Sequence, residues 1–239
     1  MPIRRTRRLF GMSVTATLVA VTLLCFWAGC SGVGVQSWYT RGALSTVSPL
    51  ATQVGEKIFR SGGNAADVAV AVGFALAVTY PPAGNIGGGG FALVRDGKSG
   101  EITSIDFRET APAYATATMY LDSAGEVIPQ ASTRGARAVG VPGTVAGLHE
   151  IWKKYGSLPW RDLIGPALFL ADSGFVVDSA LADEFAENAD GLLQFSRTAE
   201  IFARDGQPLR RGDTLVQRNL ARTLRLIADS GATAFYSGE

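Results

Sequence analysis

The stretch SGGNAADVAVAVGFALAVTYPPAGNIGGGGFALVRDGKSGEITSIDFRETAP, residues 61–112, decides the fold class. Asn64 is a good N-cap, because its side chain can accept from a free backbone N–H of the first helical turn. From Ala65 to Val78 nearly every residue is apolar and most are small, and Asp67 puts a negative charge in the first turn, where it suits the helix dipole. A helix apolar on all sides is a buried helix. At 14 residues it falls short of the roughly 20 that cross a bilayer. Tyr80-Pro81-Pro82 ends it, since a proline pushes the preceding residue out of the α region.

Two strand-like runs follow the glycines. Residues 91–95 run out, Asp96-Gly97-Lys98-Ser99-Gly100 turns, and residues 101–107 run back, which predicts a hairpin. The glycine run Gly87-Gly88-Gly89-Gly90 needs a reason, because glycine is entropically costly to order. One reading is tight packing or a turn into the strand; the other is a backbone wall of an active site. A dinucleotide fingerprint is excluded, since its glycine spacing fails at Ala92 and Leu93, and a phosphate loop is excluded because Ala92 replaces its upstream glycine. At the end of the return strand sits Arg108, whose planar fork suits a carboxylate held bidentately. Taken alone, Arg108 beside Glu109 reads as a solvated surface pair.

Working outward, residues 49–60 have helical spacing, with Leu50, Val54 and Ile58 on one side and Gln53, Glu56, Lys57 and Arg60 on the other. Ser61-Gly62-Gly63 supplies a glycine for the cap. Residues 113–137 are mixed, with a short helix predicted at Met119, Tyr120 and Leu121 and a turn at Asp122-Ser123-Ala124-Gly125. Helical patterns return over 143–155, from Leu158-Pro159-Trp160 to Ser173-Gly174, over 178–188 and over 216–229, and residues 202–209 read as a short strand and turn. The only histidine, His149, has no Ser, Cys or carboxylate partner in a readable motif and reads as structural.

The amino terminus differs in kind. Arg4, Arg5, Arg7 and Arg8 precede an apolar run over residues 14–28, which reads as an export signal. Thr6-Arg7-Arg8-Leu9-Phe10 resembles a twin-arginine signal. Ala28-Gly29-Cys30 resembles a bacterial lipobox, with Trp27 departing from its usual small aliphatic residue. Lipidation of Cys30, ordinary cleavage near Ala28-Gly29 and an uncleaved anchor all stand as readings. The cysteines are Cys25 and Cys30, both in this leader, so the body has no disulfide framework, thiolate metal site or catalytic thiol. With the leader set aside the body is mildly acidic, which argues against a nucleic-acid surface. The expected organisation is an export signal over 1–29, a tether over 30–44 and one globular portion over 45–239.

Four segments taken together resemble a known family. Asn64-Ala65-Ala66-Asp67, Gly87-Gly88-Gly89-Gly90-Phe91, Asp106-Phe107-Arg108-Glu109-Thr110-Ala111-Pro112 and Val141-Pro142-Gly143-Thr144-Val145-Ala146-Gly147 are similar to the large-subunit signature of gamma-glutamyltransferases, also called gamma-glutamyltranspeptidases, which are N-terminal-nucleophile hydrolases. The likeness runs in order from about Ser45 to the last residue. It implies an α/β (α+β) fold, part of an αββα four-layer sandwich. It implies transfer of the γ-glutamyl group of glutathione-like compounds to water or to amino-acid or peptide acceptors. Arg108 matches the arginine that binds the substrate's α-carboxylate, with Glu109 as a weaker match that helps orient it. The family's nucleophile is a threonine freed by self-cleavage, and no threonine here has its context, so none is named as catalytic. The resemblance therefore implies a nucleophile beyond this chain, a small subunit cut from the same precursor, an inactive fragment if the chain stands alone, and no metal or cofactor. It leaves a cephalosporin acylase-like amidase and a non-catalytic, membrane-tethered binding lobe as alternatives. The leader implies an exported protein, periplasmic or anchored in the membrane as a lipoprotein.

Overall fold

In the computed structural model, which describes residues 42–238, the first helix opens on a proline. Its missing N–H is one that a helix start leaves free anyway, and Ser48 Oγ accepts from the Ala51 N–H. This helix, α1 (Pro49–Arg60), buries Ala51, Val54 and Ile58 and leaves Gln53, Glu56, Lys57 and Arg60 in solvent, as the spacing predicts. Helix α2 (Ala65–Thr79) is the hub. Of its residues only Ala65 and Ala69 are exposed. It packs against α1, against α3 (Thr144–Tyr155) and against α4 (Trp160–Ser173), and α4 in turn packs against α8 (Arg218–Ser230). Phe74, Leu163, Ile164, Leu224 and Ile227 are fully buried in the shared core, and each side chain of this kind contributes about 1.5–3 kcal/mol on burial.

Asp67 does more than complement the helix dipole. It closes a capping box with Asn64, and its carboxylate is fully buried. There it accepts from the Asn64 N–H (2.9 Å), the Ser157 N–H (2.9 Å), the Ser157 hydroxyl (2.6 Å) and the Leu158 N–H (3.2 Å). Burial pushes this carboxyl up, but the hydrogen bonds outweigh burial and hold it below the usual carboxylate value. His149 is packed against two indoles, 5.4 Å from the ring of Trp152 and 5.1 Å from that of Trp160. That packing agrees with its structural reading. Both indoles are satisfied, Trp152 by the Leu158 carbonyl and Trp160 by the Ile227 carbonyl.

The strands form three two-stranded antiparallel sheets among the described residues. Strands β1 (Phe91–Arg95) and β2 (Ile102–Asp106) pair from Phe91↔Asp106 to Arg95↔Ile102, across a turn in which Asp96 Oδ1 accepts from the Lys98 and Ser99 N–H groups. Strand β3 (Phe175–Val176) pairs with β6 (Thr214–Leu215), and β4 (Ala203–Arg204) with β5 (Gln207–Pro208). The short helices α5 (Ser179–Glu187), α6 (Ala189–Gln194), α7 (Ser196–Phe202) and α9 (Ala232–Ser237) complete the described chain, with one 3-10 turn at Ala136–Ala138. The described residues are thus a mixed helix and strand structure dominated by helices.

Three expectations are corrected here. Met119, Tyr120 and Leu121 form turns rather than a helix, because Leu121 bridges Val127 and the Asp122 N–H donates to the Glu126 carbonyl, which draws the chain into an extended turn. Helix α8 begins at Arg218, not Val216, because Leu215 pairs with Phe175 and Gln217 donates its backbone N–H to Ala171 O. Helices α6, α7 and α9 lie where no helix is expected. The export signal, Cys30 and the tether up to residue 41 lie outside the described residues. No helix among the described residues is long and apolar enough to cross a membrane.

A carboxyl whose folded value is depressed contributes stability that is present above its unfolded value, about 3.9, and lost as pH falls through the lower folded value. Asp67→Asn is expected to destabilise the chain by about 1–3 kcal/mol at neutral pH and to flatten the fall in melting temperature below pH 4. Parallel melting-temperature profiles for parent and variant across pH 2–6 would show that Asp67 carries no such linkage.

Candidate functional site

Phe107 follows directly on β2, as the second residue of the family-like motif, and glycines lie around it. Phe107 and Gly90 exchange backbone hydrogen bonds (Phe107 N–H to Gly90 O 3.0 Å, Gly90 N–H to Phe107 O 3.3 Å), which extends the hairpin by one pair. A Cβ on Gly89 would lie 2.5 Å from the Phe107 carbonyl oxygen. One on Gly143 would overlap that same oxygen, and one on Gly147 would overlap the Phe107 ring. The Gly88 carbonyl accepts from the N–H groups of Gly143 (2.8 Å) and Thr144 (3.0 Å), at the start of α3. None of Gly87, Gly88, Gly89 and Gly90 takes a positive φ. Within the run, close approach is required at Gly89, against the backbone of Phe107 and Arg108, and at Gly90, against the Phe107 ring.

Beyond Phe107, the Arg108 N–H donates to Asp106 Oδ1 at 2.9 Å. Thr110 and Val141 then exchange a pair of backbone hydrogen bonds, at 3.2 and 2.8 Å. Arg108 and Glu109 are thus held on both sides by paired backbone while their side chains are exposed. Adjacent in sequence, they form no ion pair with each other, and the Arg108 guanidinium has no carboxylate within salt-bridge reach among the described residues. The arrangement offers a positioned cation on an open edge. A cleft of about 790 Å³ between α1 and α4, lined by Leu50, Lys57, Arg161, Asp162 and Phe169, contains neither residue.

The structure brings together the glycine run, the Arg108 segment and the segment from Val141 to Gly147, which lie far apart in sequence. Sequence reasoning locates Arg108 but misses two contributors. Asp106 fixes the Arg108 backbone, and Gly143 with Gly147 makes the hollow for Phe107. A Gly-x-x-x-Gly spacing at the start of a predicted helix is the signal that points to the second.

The family model described as Gamma-glutamyltranspeptidase matches residues 51–239. The chain belongs to this family. It is 49% identical over 199 residues to the glutathione hydrolase proenzyme of Escherichia coli, which covers 83% of this chain and 34% of that protein. It is 40% identical over 206 residues to the acylase ACY 1 proenzyme of a Pseudomonas strain, covering 84% of this chain and 37% of that one. The crystal structure of Helicobacter pylori gamma-glutamyltranspeptidase superposes with a TM-score of 0.81 at 43% identity, over 85% of this chain and 58% of the other. The chain thus spans little more than a third of the curated relatives it matches.

Gly147→Ala, which pushes a methyl group into the Phe107 ring, is expected to cost about 1–3 kcal/mol or more. Gly97→Ala, in open space at the hairpin turn, is expected to stay within about 0.5 kcal/mol of the parent. Chemical denaturation of the two variants checks this; equal stabilities would remove the glycine hollow as a constraint.

Proposed function

We propose that this chain is the amino-terminal portion of an exported γ-glutamyl-transferring and hydrolysing enzyme, acting on glutathione-like compounds with water or amino acids and peptides as acceptors. The observation that carries the reading is the Arg108 guanidinium, which has no counter-charge among the described residues and stands on a backbone paired on both sides, within a family-matching segment. Arg108 binds the α-carboxylate of the donor as a bidentate pair. Glu109, on the same short edge, orients it, and the glycine run forms the backbone wall beneath. The nucleophile is a threonine on the portion beyond this chain, freed by self-cleavage that also yields the small subunit. Its hydroxyl oxygen bonds to the γ-carbonyl carbon, its α-amine takes the hydroxyl proton, and that proton passes to the leaving amine as the C–N bond breaks. Water or an amine then attacks the acyl carbon and gives up a proton to the α-amine, the ester bond to the threonine oxygen breaks, and that oxygen takes the proton back from the amine.

The four-layer sandwich belongs to the same proposal. Phe91, Leu93 and Ile102 of the β1–β2 hairpin are 67%, 78% and 66% exposed, and alternation places the three on one face, as an apolar patch beside Arg95, Ser104 and Asp106. A two-stranded sheet with a free apolar face is marginal by itself. Further strands of the same polypeptide would cover that face and extend the sheet. The basic, then apolar leader supports export, and Cys30 is the proposed lipid attachment point at the head of a tether over 30–44.

In the full-length precursor, Arg108→Ala is expected to weaken donor binding by about 2–5 kcal/mol, since a desolvated carboxylate loses its charged partner. Arg108→Lys recovers only part, because an ammonium cannot make the bidentate pair. Steady-state kinetics with a γ-glutamyl anilide measure this, and an unchanged KM sinks the assignment.

The acylase relative keeps a second reading open, an amidase of the same fold. Glutaryl and γ-glutamyl groups carry the same terminal carboxylate and differ by the α-ammonium. Arg108 serves either, so the choice lies in what faces the ammonium. Turnover of a γ-glutamyl anilide well above that of its glutaryl counterpart supports the transferase, and the reverse order supports the amidase.

A further inference from the structure

Helix α3 is the seat of the Arg108 segment, and its first turn is held at two places. The Gly88 carbonyl takes the N–H groups of Gly143 and Thr144. The Ala146 N–H donates to the Tyr236 hydroxyl at 3.1 Å, across 90 residues of sequence. At about 100° per residue, Thr144 and Ala146 lie roughly 200° apart around the helix axis, so the two acceptors grip the turn from different sides. Gly143 has no side-chain cap to offer, which leaves this first turn dependent on acceptors from elsewhere. Tyr236 belongs to α9, and its ring meets Phe235 edge-on at 5.1 Å. Phe235 packs on the core and so ties α9 down, while the Tyr236 ring and its bond to Ala146 lie at the surface. The turn that Tyr236 grips is the one whose Gly143 and Gly147 close around Phe107, one residue before Arg108.

We infer that Tyr236 is a positioning residue for donor recognition, fixing the start of α3 and through it the placement of the Arg108 guanidinium. It touches no substrate. The inference rests on the proposed role of Arg108 and adds a determinant that lies 128 residues further along the chain. A guanidinium fork must meet both oxygens of a carboxylate, so small rotations of the α3 start are felt in carboxylate binding before they are felt in the chemistry of a nucleophile held elsewhere.

Tyr236→Phe in the full-length precursor removes the hydroxyl and keeps the ring against Phe235. Two anilides serve as donors: the γ-glutamyl compound, and the 4-aminobutanoyl compound, which is the same group without its α-carboxylate. With the first, KM is expected to rise about threefold to tenfold, the worth of one hydrogen bond, with kcat within about twofold. With the second, the variant and the parent react alike, because there is no carboxylate to misplace. A melting-temperature measurement confirms that the variant is folded. A variant that loses equally on both donors, or on neither, overturns the inference while leaving the role of Arg108 standing. A parent enzyme that fails to discriminate between the two donors overturns both.

Discussion

A charged carboxylate sealed inside the protein is the constraint on which the helical frame depends. Asp67 is fully buried, and a bare carboxylate there is untenable unless its lone pairs are filled. They are filled by groups from two places, the start of α2 and the link at Ser157-Leu158 between α3 and α4. The carboxylate therefore specifies how three helices meet, because any other meeting strands it. The surface ion pairs do nothing comparable. Arg60–Glu56, Lys154–Glu150 and Arg197–Glu200 are local pairs between exposed side chains, screened by water, and fix no meeting of helices.

The same helix α3 carries this constraint to the motif edge. Its carboxyl end is tied to Asp67 through the following link, and its amino end is tied to Gly88. Held at both ends, it is a fixed wall against which Phe107 must fit, and two glycines on it are the hollow. Ordering a glycine in place of alanine costs about 0.5–1 kcal/mol. A methyl group at Gly143 or Gly147 would occupy space that Phe107 already fills, which costs more than the entropy saved. Gly89, Gly90, Gly143 and Gly147 are thus steric requirements of a single half-buried ring and its carbonyl.

Much of this was legible in the residues, and the division follows physical range. Helix ends were readable because their signals are local: Asn64 before Ala65, Pro49 at a first turn, Gly174 after Ser173, Tyr80 before two prolines. The hairpin was readable because alternation and a five-residue turn agree. Asp67 was legible only as a first-turn acid, since its partners at Ser157 and Leu158 lie about 90 residues away and leave no periodic trace. Helices α6, α7 and α9 span six or seven residues each, too few to display a 3.6-residue period. Arg108 was legible through family resemblance. Its own neighbourhood suggested a pair with Glu109, and the structure shows that this pair does not form.

What the described surface does with that free cation depends on cover. Left in water, a carboxylate paired with Arg108 gains at most about 1 kcal/mol, too little to select one substrate. The same pair withdrawn from water is worth several times more. The hairpin next to Arg108 supplies the means of withdrawal, for Phe91, Leu93 and Ile102 expose an apolar face beside it. Any chain that packs on that face to bury it also walls off the strand end where Arg108 stands. Completing the sheet and desolvating the guanidinium are then one event. If Arg108 holds a donor carboxylate as proposed, the affinity of that pair follows from cover of this face rather than from a separate motion. Geometry at Arg108 is already set by α3 and the glycine hollow, whereas the strength of any ion pair it makes is set by what covers the apolar residues beside it.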